Sequence, residues 1–411
     1  MSWQETCVME QRVQFVMDLL DNTYSMSELC RSYGISRKTG YKWLLRYQQS
    51  GIAALHDRSR APHRHPQAIS PMVKQAILAV KTRFPQWGAP KIRVRLEREH
   101  PDWQRYPAVS TIGRFLRDQH LTHPRKRRHR ASPTPLPLTD GRYINQVWCA
   151  DFKGHFQTKD GCRCHPLTMT DHASRYLLCC RHVERMNHDQ AKICFEQVFR
   201  RYGLPHVIRT DNGSPFASIG LAGLSRLSYW WIRLGIYPER IEPGHPEQNG
   251  RHERMHKTLK AHTAVPPAKT LPSQQRRFDR FRWEYNQQRP HEALQMRTPS
   301  DYYHRSPRPY PKRLPPVWYP ESMRVRRVRK GGEIKLNNKL LYVSLPLAGE
   351  FVGIEQTDED KCRLWYCDYL LGYIDCYAWK IIPAKATRYV RPASWTGSEY
   401  KSEKVLPMSS A

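Results

Sequence analysis

The stretch from Arg142 to Tyr303 constrains the fold of this chain most, because its apolar residues follow strand and helix periods in turn. Three strand-like segments come first, INQVWCADFKGHF, RCHPLTMTD and RYLLCCRHV. They are followed by the amphipathic helix DQAKICFEQVFRRYG, the buried strand PHVIRTDNG, a helical stretch at 219–234, the strand IYPERIEP and a helix at 247–263. This order predicts an α/β fold with a mixed sheet flanked by helices.

Three acidic residues occupy suggestive places in that order. Asp151 lies in the first strand, Asp211 ends the fourth strand at RTDNG, and Glu253 lies on the last helix. If strands one and four are neighbours, their ends meet at one sheet edge, where a crossing helix can add a carboxylate. Such carboxylates repel unless cations lie among them, and oxygen ligands without paired thiols select Mg²⁺ or Mn²⁺. We therefore predict that Asp151, Asp211 and Glu253 are catalytic residues that hold two metal ions, about 4 Å apart, on a phosphodiester.

The same helix contains His252, Glu253 and His256 in the order H-E-x-x-H, by which a zinc protease offers two imidazoles to its metal. A zinc site of this kind explains neither Asp151 nor Asp211, and it leaves the charge of the chain unexplained. We therefore interpret the two histidines as helix-surface or DNA-facing residues.

The charge of the chain points to a polyanionic partner. Lys and Arg number 68 against 37 acidic residues, a net charge of +31, which predicts binding to double-stranded DNA or another nucleic acid. A ribosomal-type structural protein or a basic surface that only aids solubility are the alternatives. The eleven cysteines form no C-x-x-C pair, and no signal peptide or membrane span is indicated. We expect a protein of the cytosol or nucleoid that does not bind membranes.

Residues 1–55 have the pattern of a helix-turn-helix domain. Ser25 with Glu28 forms a capping box, Gly34 marks a turn, and Ser36 is suited to cap a third helix. The second helix of such a motif enters the major groove, although an ordinary helical hairpin with a basic face has the same pattern. The predicted DNA-binding residues near its start are Arg37, Lys38, Thr39 and Lys42.

Two linkers flank a second helical module. Residues 56–69 are rich in Pro, Arg and His without periodicity, and 70–122 repeat apolar residues at helical spacing, which predicts a second helix-turn-helix-like domain. Residues 123–141 form a basic and Pro-rich linker that begins with HPRKRRHR, a block too charged to pack in a core. The predicted phosphate-binding residues of this block are Arg125, Lys126, Arg127 and Arg128.

The chain changes again at its C-terminal end. Residues 316–385 contain short strands with tight turns, such as Asn337-Asn338, which predicts a small all-β barrel of about five strands, SH3-like in type. We expect residues 386–411 to be a disordered tail.

Several motifs together carry a family resemblance. They are WCADFKG, TDHASRY, RTDNGSPF, HPEQNGRHERMHKTLK and YNQQRPHEAL followed by TPSDYY. The chain resembles the integrase-core DDE transposases of bacterial insertion sequences, especially the group called family four-eight-one, and is similar more distantly to retroviral integrases. The resemblance implies an RNase H-like core at 142–305, a DDE triad of Asp151, Asp211 and Glu253, and two divalent metals. It further implies binding of the terminal inverted repeats, hydrolysis that exposes a 3'-hydroxyl at each element end, attack of that hydroxyl on target DNA, and a homo-oligomer, dimer or larger, on paired ends.

The resemblance leaves some assignments open. It matches Asp211 to the second carboxylate, so Asp171, at the end of the second strand, is left as a structural or outer partner. Lys257 and Lys260, which follow Glu253 on its helix, occupy positions that hold the DNA end in the family, although plain surface lysines fit the same pattern. The zinc-binding His and Cys module of retroviral integrases is missing. A transposase-derived DNA-binding regulator that no longer cuts is the alternative function.

Overall fold

A computed structural model describes residues 7–58, 69–122, 138–218, 220–242, 245–357 and 361–384. The chain divides into two compact units, Met1–Ser70 and Pro71–Ala411, and each is described by itself. The basic block with Arg125, Lys126, Arg127 and Arg128, most of the 56–69 linker, and the 386–411 tail lie outside the described residues.

The first unit contains the three predicted helices. They are α1 (Val8–Leu20), α2 (Met26–Ser32) and α3 (Arg37–Ser50), followed by a 3₁₀ turn at Ile52–Leu55. Ser25 and Glu28 form the predicted capping box, and the Ser36 side chain accepts from the Thr39 N–H. A Cβ at Gly40 would lie 2.6 Å from Cys30 Sγ, so a larger residue there would displace side chains where α3 packs on α2. The helix-turn-helix prediction for this unit is confirmed.

The second unit begins with another group of three helices. They are α4 (Pro71–Arg83), α5 (Ala89–Glu99) and α6 (Val109–Asp118). Phe84 stacks on Trp87 with ring centroids 4.0 Å apart, and both side chains are buried. Since Ile77, Ile92 and Ile112 are also fully buried, each helix contributes one apolar stripe to this small core.

The central sheet has the predicted mixed order. Its strands are β1 (Val147–Phe152), β2 (Phe156–Gln157), β3 (Arg163–Asp171), β4 (Leu177–Val183), β5 (Val207–Thr210) and β6 (Tyr237–Arg240). β3 pairs antiparallel with β1, β2 and β4, whereas β5 pairs parallel with both β1 and β6. The expectation that the first and fourth predicted strands are neighbours is confirmed by the β1–β5 pair.

Helices cover both faces of this sheet. They are α7 (His188–Tyr202), α8 (Arg226–Arg233), α9 (Gly250–Thr263) and α10 (Leu271–Gln287). The side chains of α7 and α8 form one core with Trp148, Leu167 and Leu178 of the sheet. Those of α9 and α10 form another core with Leu177 and Cys180, which places the two helix pairs on opposite faces.

The C-terminal part is all β, but it does not close among the described residues. Its strands are β7 (Arg324–Arg327), β8 (Glu333–Leu336), β9 (Lys339–Tyr342), β10 (Phe351–Gln356), β11 (Lys361–Tyr366), β12 (Tyr369–Asp375) and β13 (Lys380–Pro383). Five of them form an open antiparallel sheet in the order β13-β12-β11-β10-β7, and β8 and β9 form a separate hairpin whose turn residues Asn337 and Asn338 both have positive φ. The predicted hairpin is confirmed and the predicted barrel is not.

The C-terminal sheet packs against α8. Tyr229 and Ile232 of α8 share a buried cluster with Val328 and Ile354, and Arg233 forms an ion pair with Glu350 at 2.8 Å. α8 is therefore buried between the central sheet and the C-terminal strands. Among the described residues, no helix combines the length and apolarity needed to cross a bilayer.

Candidate active site

Two of the predicted carboxylates lie at the ends of neighbouring parallel strands. In the β1–β5 register Cys149 is opposite Arg209, and Asp151 and Asp211 each follow two residues later. The turn after Asp211 is held by a hydrogen bond from the Asn212 side-chain amide to the Ile241 carbonyl oxygen, at 2.7 Å. Because both strands run in the same direction, both acidic side chains are brought to the same sheet edge.

Glu253 reaches this edge from α9. It lies in the first turn of the helix and is exposed. Asp211 is half-buried, and the Asp151 side chain is 20% exposed. Asp151 is therefore the most buried of the three carboxylates, and Glu253 is the most exposed.

Electrostatics show that the three groups act on one another. The pKa of Asp151 is raised to about 7, mainly by burial, then by the negative charge of Asp211, and least by that of Glu253. The Lys153 ammonium and a backbone hydrogen bond at Phe152 oppose the shift. A carboxyl group with such a pKa is costly to ionise until a cation arrives. Carboxylate oxygens are donors of the kind that Mg²⁺ or Mn²⁺ prefers.

The two histidines of the H-E-x-x-H pattern are buried, so the expectation of helix-surface or DNA-facing residues is wrong. His252 and His256 are 1% and 3% exposed and face β3. His252 Nδ1 lies 2.8 Å from Thr170 Oγ1, and Thr168 Oγ1 lies 2.8 Å from His252 Nε2 and 2.6 Å from His256 Nε2. Burial lowers the pKa of His252 to about 3 and lowers that of His256 still further, so both rings are neutral.

These contacts connect Asp151 to the helix that carries Glu253. Thr168 is the register partner of Asp151, and its hydroxyl donates to the Asp151 carbonyl oxygen at 3.1 Å. His256 Nδ1 lies 3.6 Å from Asp151 Oδ2. We call His252, His256, Thr168 and Thr170 the His–Thr cluster. Because its hydrogen bonds are directional, it fixes the rotation of α9 against the sheet.

A zinc site at the His–Thr cluster does not agree with these contacts. The ligand atoms of Asp151, His252 and His256 do lie within 4.8 Å of one another. Both ring nitrogens of His252, however, are within hydrogen-bond distance of threonine hydroxyls, which occupy the positions a metal would need. The rings therefore serve to hold α9 in place.

Asp171, the competing carboxylate, is fully buried and engaged elsewhere. Its Oδ1 accepts from the Asn145 N–H at 2.7 Å, and its Oδ2 accepts from the backbone N–H and the hydroxyl of Ser174 at 2.7 and 2.6 Å. This carboxylate closes the β3–β4 turn, which is a structural role.

The predicted DNA-contact residues fall in two places. In unit 1, Arg37, Lys38 and Lys42 are exposed at the start of α3, whereas Thr39 is half-buried with its hydroxyl 3.0 Å from Ser36 Oγ. The Lys42 ammonium lies over the Trp43 ring, 4.3 Å from its centroid.

In unit 2, Lys257 and Lys260 are exposed on α9, on the helix of Glu253.

Sequence reasoning missed Thr168, Thr170 and Lys153. Thr168 and Thr170 are two residues apart in β3 and therefore share a face of the sheet, and two histidines four residues apart share a face of a helix. No local signal in the sequence shows that these two faces contact each other.

Comparison with known families identifies two kinds of domain. Residues 143–246 and 234–299 match two family models that are both described as integrase core domain. Residues 11–63 match a helix-turn-helix domain, and residues 39–116 match a homeodomain-like domain.

The matches to individual relatives cover shorter parts of this chain. The Gag-Pol polyprotein of baboon endogenous virus (strain M7) and the Pol polyprotein of feline endogenous virus ECE1 are each 40% identical over 73 residues, 18% of this chain. The chain spans 4% and 6% of the length of these curated relatives. The magnesium-bound catalytic core domain of HTLV-2 integrase in its trimeric form is 18% identical, with a TM-score of 0.31, covering 39% of this chain and 96% of that one.

Proposed function

Because the chain combines an integrase core domain with helix-turn-helix domains, the domain content of an insertion-sequence DDE transposase, we propose that it cuts and joins DNA as a polynucleotidyl transferase. Two observations support this proposal: Asp151 and Asp211 lie at the ends of neighbouring parallel strands, and the charges of Asp211 and Glu253 both raise the pKa of Asp151.

In this proposal Asp151, Asp211 and Glu253 are the catalytic residues and the ligands of two Mg²⁺ or Mn²⁺ ions. Bound there, such ions lower the pKa of the attacking water or hydroxyl and stabilise the charge on the leaving oxygen. The protein positions the carboxylates through the β1–β5 register and the His–Thr cluster. The exposed side at Glu253 admits the phosphodiester.

Two displacements follow at the same carboxylates. First, a water oxygen bonds to phosphorus at the element end, and the bond to the 3' oxygen breaks, so that this oxygen takes up a proton. Second, the new 3'-hydroxyl loses its proton and bonds to a target phosphorus, and the bond to the target's own 3' oxygen breaks. Neither step needs an external energy source, since one phosphodiester replaces another in the second.

The helical parts bind DNA in this proposal. Residues 1–55 and 70–122 recognise the terminal inverted repeats, with Arg37, Lys38, Thr39 and Lys42 at the major groove. Lys257 and Lys260 hold the DNA end beside Glu253. Residues 123–141 supply salt-sensitive phosphate contacts.

The C-terminal strands are the candidate for an SH3-like module. The protein acts as a dimer or larger homo-oligomer on paired ends, in the bacterial cytosol or nucleoid.

A strand-transfer assay tests the proposal. A labelled DNA duplex that carries the element end is incubated with Mg²⁺, Mn²⁺ or EDTA and with wild type, Asp151→Asn, Asp211→Asn or Glu253→Gln. We expect nicked and joined products only with metal and only from wild type. Asp189→Asn, an exposed carboxylate on α7, is the matched control and should remain active.

The outcomes separate the alternatives. An unchanged product yield from any triad variant removes that residue from the site. DNA binding by wild type without nicking in either metal identifies a regulator rather than a transposase. Peptidase activity that depends on His252 and His256 would identify the zinc protease, which their threonine contacts oppose.

A further inference from the structure

A small open cavity of about 110 Å³ lies between β2, β3 and the last turns of α9. Its floor is apolar, formed by Phe156, Pro166, Leu259 and Phe278. The rings of Phe156 and Phe278 pack edge to face with centroids 6.4 Å apart, so the floor is rigid and aromatic. We call this space the α9 cavity.

Basic side chains are among the residues that line the α9 cavity. Lys153 and Lys260 both line it, and the exposed His155 ring lies beside them. The acidic residues Glu239 and Asp211 are not among the residues that line it. An apolar ligand alone would gain nothing from two ammonium groups, and a small anion alone would gain nothing from an aromatic floor. A planar ring attached to a phosphate satisfies both.

Two residues that line the α9 cavity are near the carboxylates along their own elements. Lys153 follows Asp151 by two residues, and its charge lowers the pKa of Asp151 against the effect of burial. Lys260 follows Glu253 by seven residues, which is about 10 Å along a helix. Successive nucleotides of one strand are about 3.4 Å apart along the duplex axis. If the scissile phosphate lies at the carboxylates, a nucleotide that reaches the α9 cavity is therefore within about three positions of it.

We propose that the α9 cavity binds one unstacked base of the DNA substrate, from a nucleotide within about three of the scissile phosphate. The inference rests on the proposed function, because it needs DNA at the carboxylates. An apolar cavity of about 150 Å³ accepts benzene, so this smaller, open one takes the edge of a base while the His155 ring covers its face. Lys153 and Lys260 contact the phosphates on either side.

The experiment uses the full-length Glu253→Gln protein, which binds without cutting, and element-end duplexes with 2-aminopurine at each of three positions on either side of the cut. Unstacking of 2-aminopurine raises its fluorescence. We expect a several-fold rise at one position only. Ala264→Phe, which fills the α9 cavity, should abolish the rise, and Val265→Phe, which adds the same ring at an exposed neighbour, should keep it.

A second variant avoids any question of folding. His155 is exposed, so His155→Ala should fold normally and weaken binding of the DNA end about fivefold, the low end for loss of one base–aromatic stack. His188→Ala, on α7, is its control. Wild type with Mg²⁺ on the same duplexes reports the proposed function separately.

Each result decides one question. Nicking by wild type with flat fluorescence at all six positions, or a rise that survives Ala264→Phe, overturns the cavity and leaves the transposase function standing. Absence of both DNA binding and nicking removes both. Unchanged affinity of His155→Ala contradicts the stacking role of that ring.

Discussion

Both faces of the central sheet have an apolar core, but among the described residues only the face that carries α9 adds a buried cluster of hydrogen-bonded histidines and threonines. On one face, α7 and α8 pack through large apolar side chains, with Trp231 in contact with the rings of Phe195 and Phe216. On the other face, near the carboxylates, α9 packs through Met255 and Leu259 and is also held by the His–Thr cluster. Apolar packing is strong but non-directional, whereas hydrogen bonds fix an angle. The difference teaches that apolar packing stabilises both faces, whereas directional hydrogen bonds orient the helix of Glu253 on one of them.

The largest effect is expected on the face that carries α7 and α8. Trp231→Ala removes a fully buried ring and should lower the free energy of unfolding by about 3–5 kcal/mol. Urea unfolding monitored by circular dichroism measures this loss. The remaining folded protein should keep its strand-transfer rate per folded molecule. A rate that falls much further than the folded fraction would show that this face also positions the site.

For His256→Ala we expect a smaller loss of stability and a larger loss of strand-transfer activity than for Trp231→Ala. The histidine substitution breaks a 2.6 Å contact with Thr168 and should cost about 1–3 kcal/mol of stability, yet reduce strand transfer by about 10- to 100-fold, as loss of groups that orient metal ligands does. His262→Ala, later on the same helix and packed on Phe281, is the control. Activity that follows the folded fraction would contradict a positioning role.

Within the His–Thr cluster, Thr168 should matter more than Thr170. Thr168→Val removes a hydroxyl that contacts both rings and Asp151, whereas Thr170→Val removes one contact with His252. We expect the first substitution to cost about 1 kcal/mol more than the second. Thermal melts of the two variants, which have the same shape change, provide the measurement. Equal losses would show that the shared hydroxyl is not the centre of the cluster.

The smallest effect concerns charge. Since the pKa of Asp151 is raised to about 7, its ionised form is disfavoured in the folded protein, and metal-free stability should fall as pH rises from its ordinary pKa of about 4 through 7. Asp211→Asn removes one source of repulsion and should stabilise the metal-free protein at pH 8 by at most about 1 kcal/mol. Melts at pH 5 and pH 8 in EDTA test this. Addition of Mg²⁺ should stabilise wild type more than the variant.

Much of the architecture was predictable from local patterns. The three helices of unit 1 followed from the Ser25 capping box and the Ser36 cap, and the mixed sheet followed from strand and helix periods. The neighbouring positions of Asp151 and Asp211 were predicted on the condition that the first and fourth strands pair, and the β1–β5 pair meets that condition. Whether these residues perform the chemistry stays a prediction until the assay is done.

Other features depended on contacts that no local pattern encodes. The predicted barrel was not found as a closed sheet, because β7 and β13 form the two edges and do not pair. The burial of α8 on both sides also escaped prediction, since the Arg233–Glu350 ion pair joins residues 117 apart. Such pairings depend on where whole elements pack.

The sequence by itself determined the order of the elements, the beginnings of the capped helices and the strand and helix positions of the three carboxylates, because periodicity and capping act over a few residues. Only the tertiary structure decided the role of His252 and His256. Two histidines one turn apart share a helix face, and that face is buried because Thr168 and Thr170, 82–88 residues earlier, offer hydroxyls to neutral rings. A buried polar group is tolerated where it finds such partners, and only the fold brings them together.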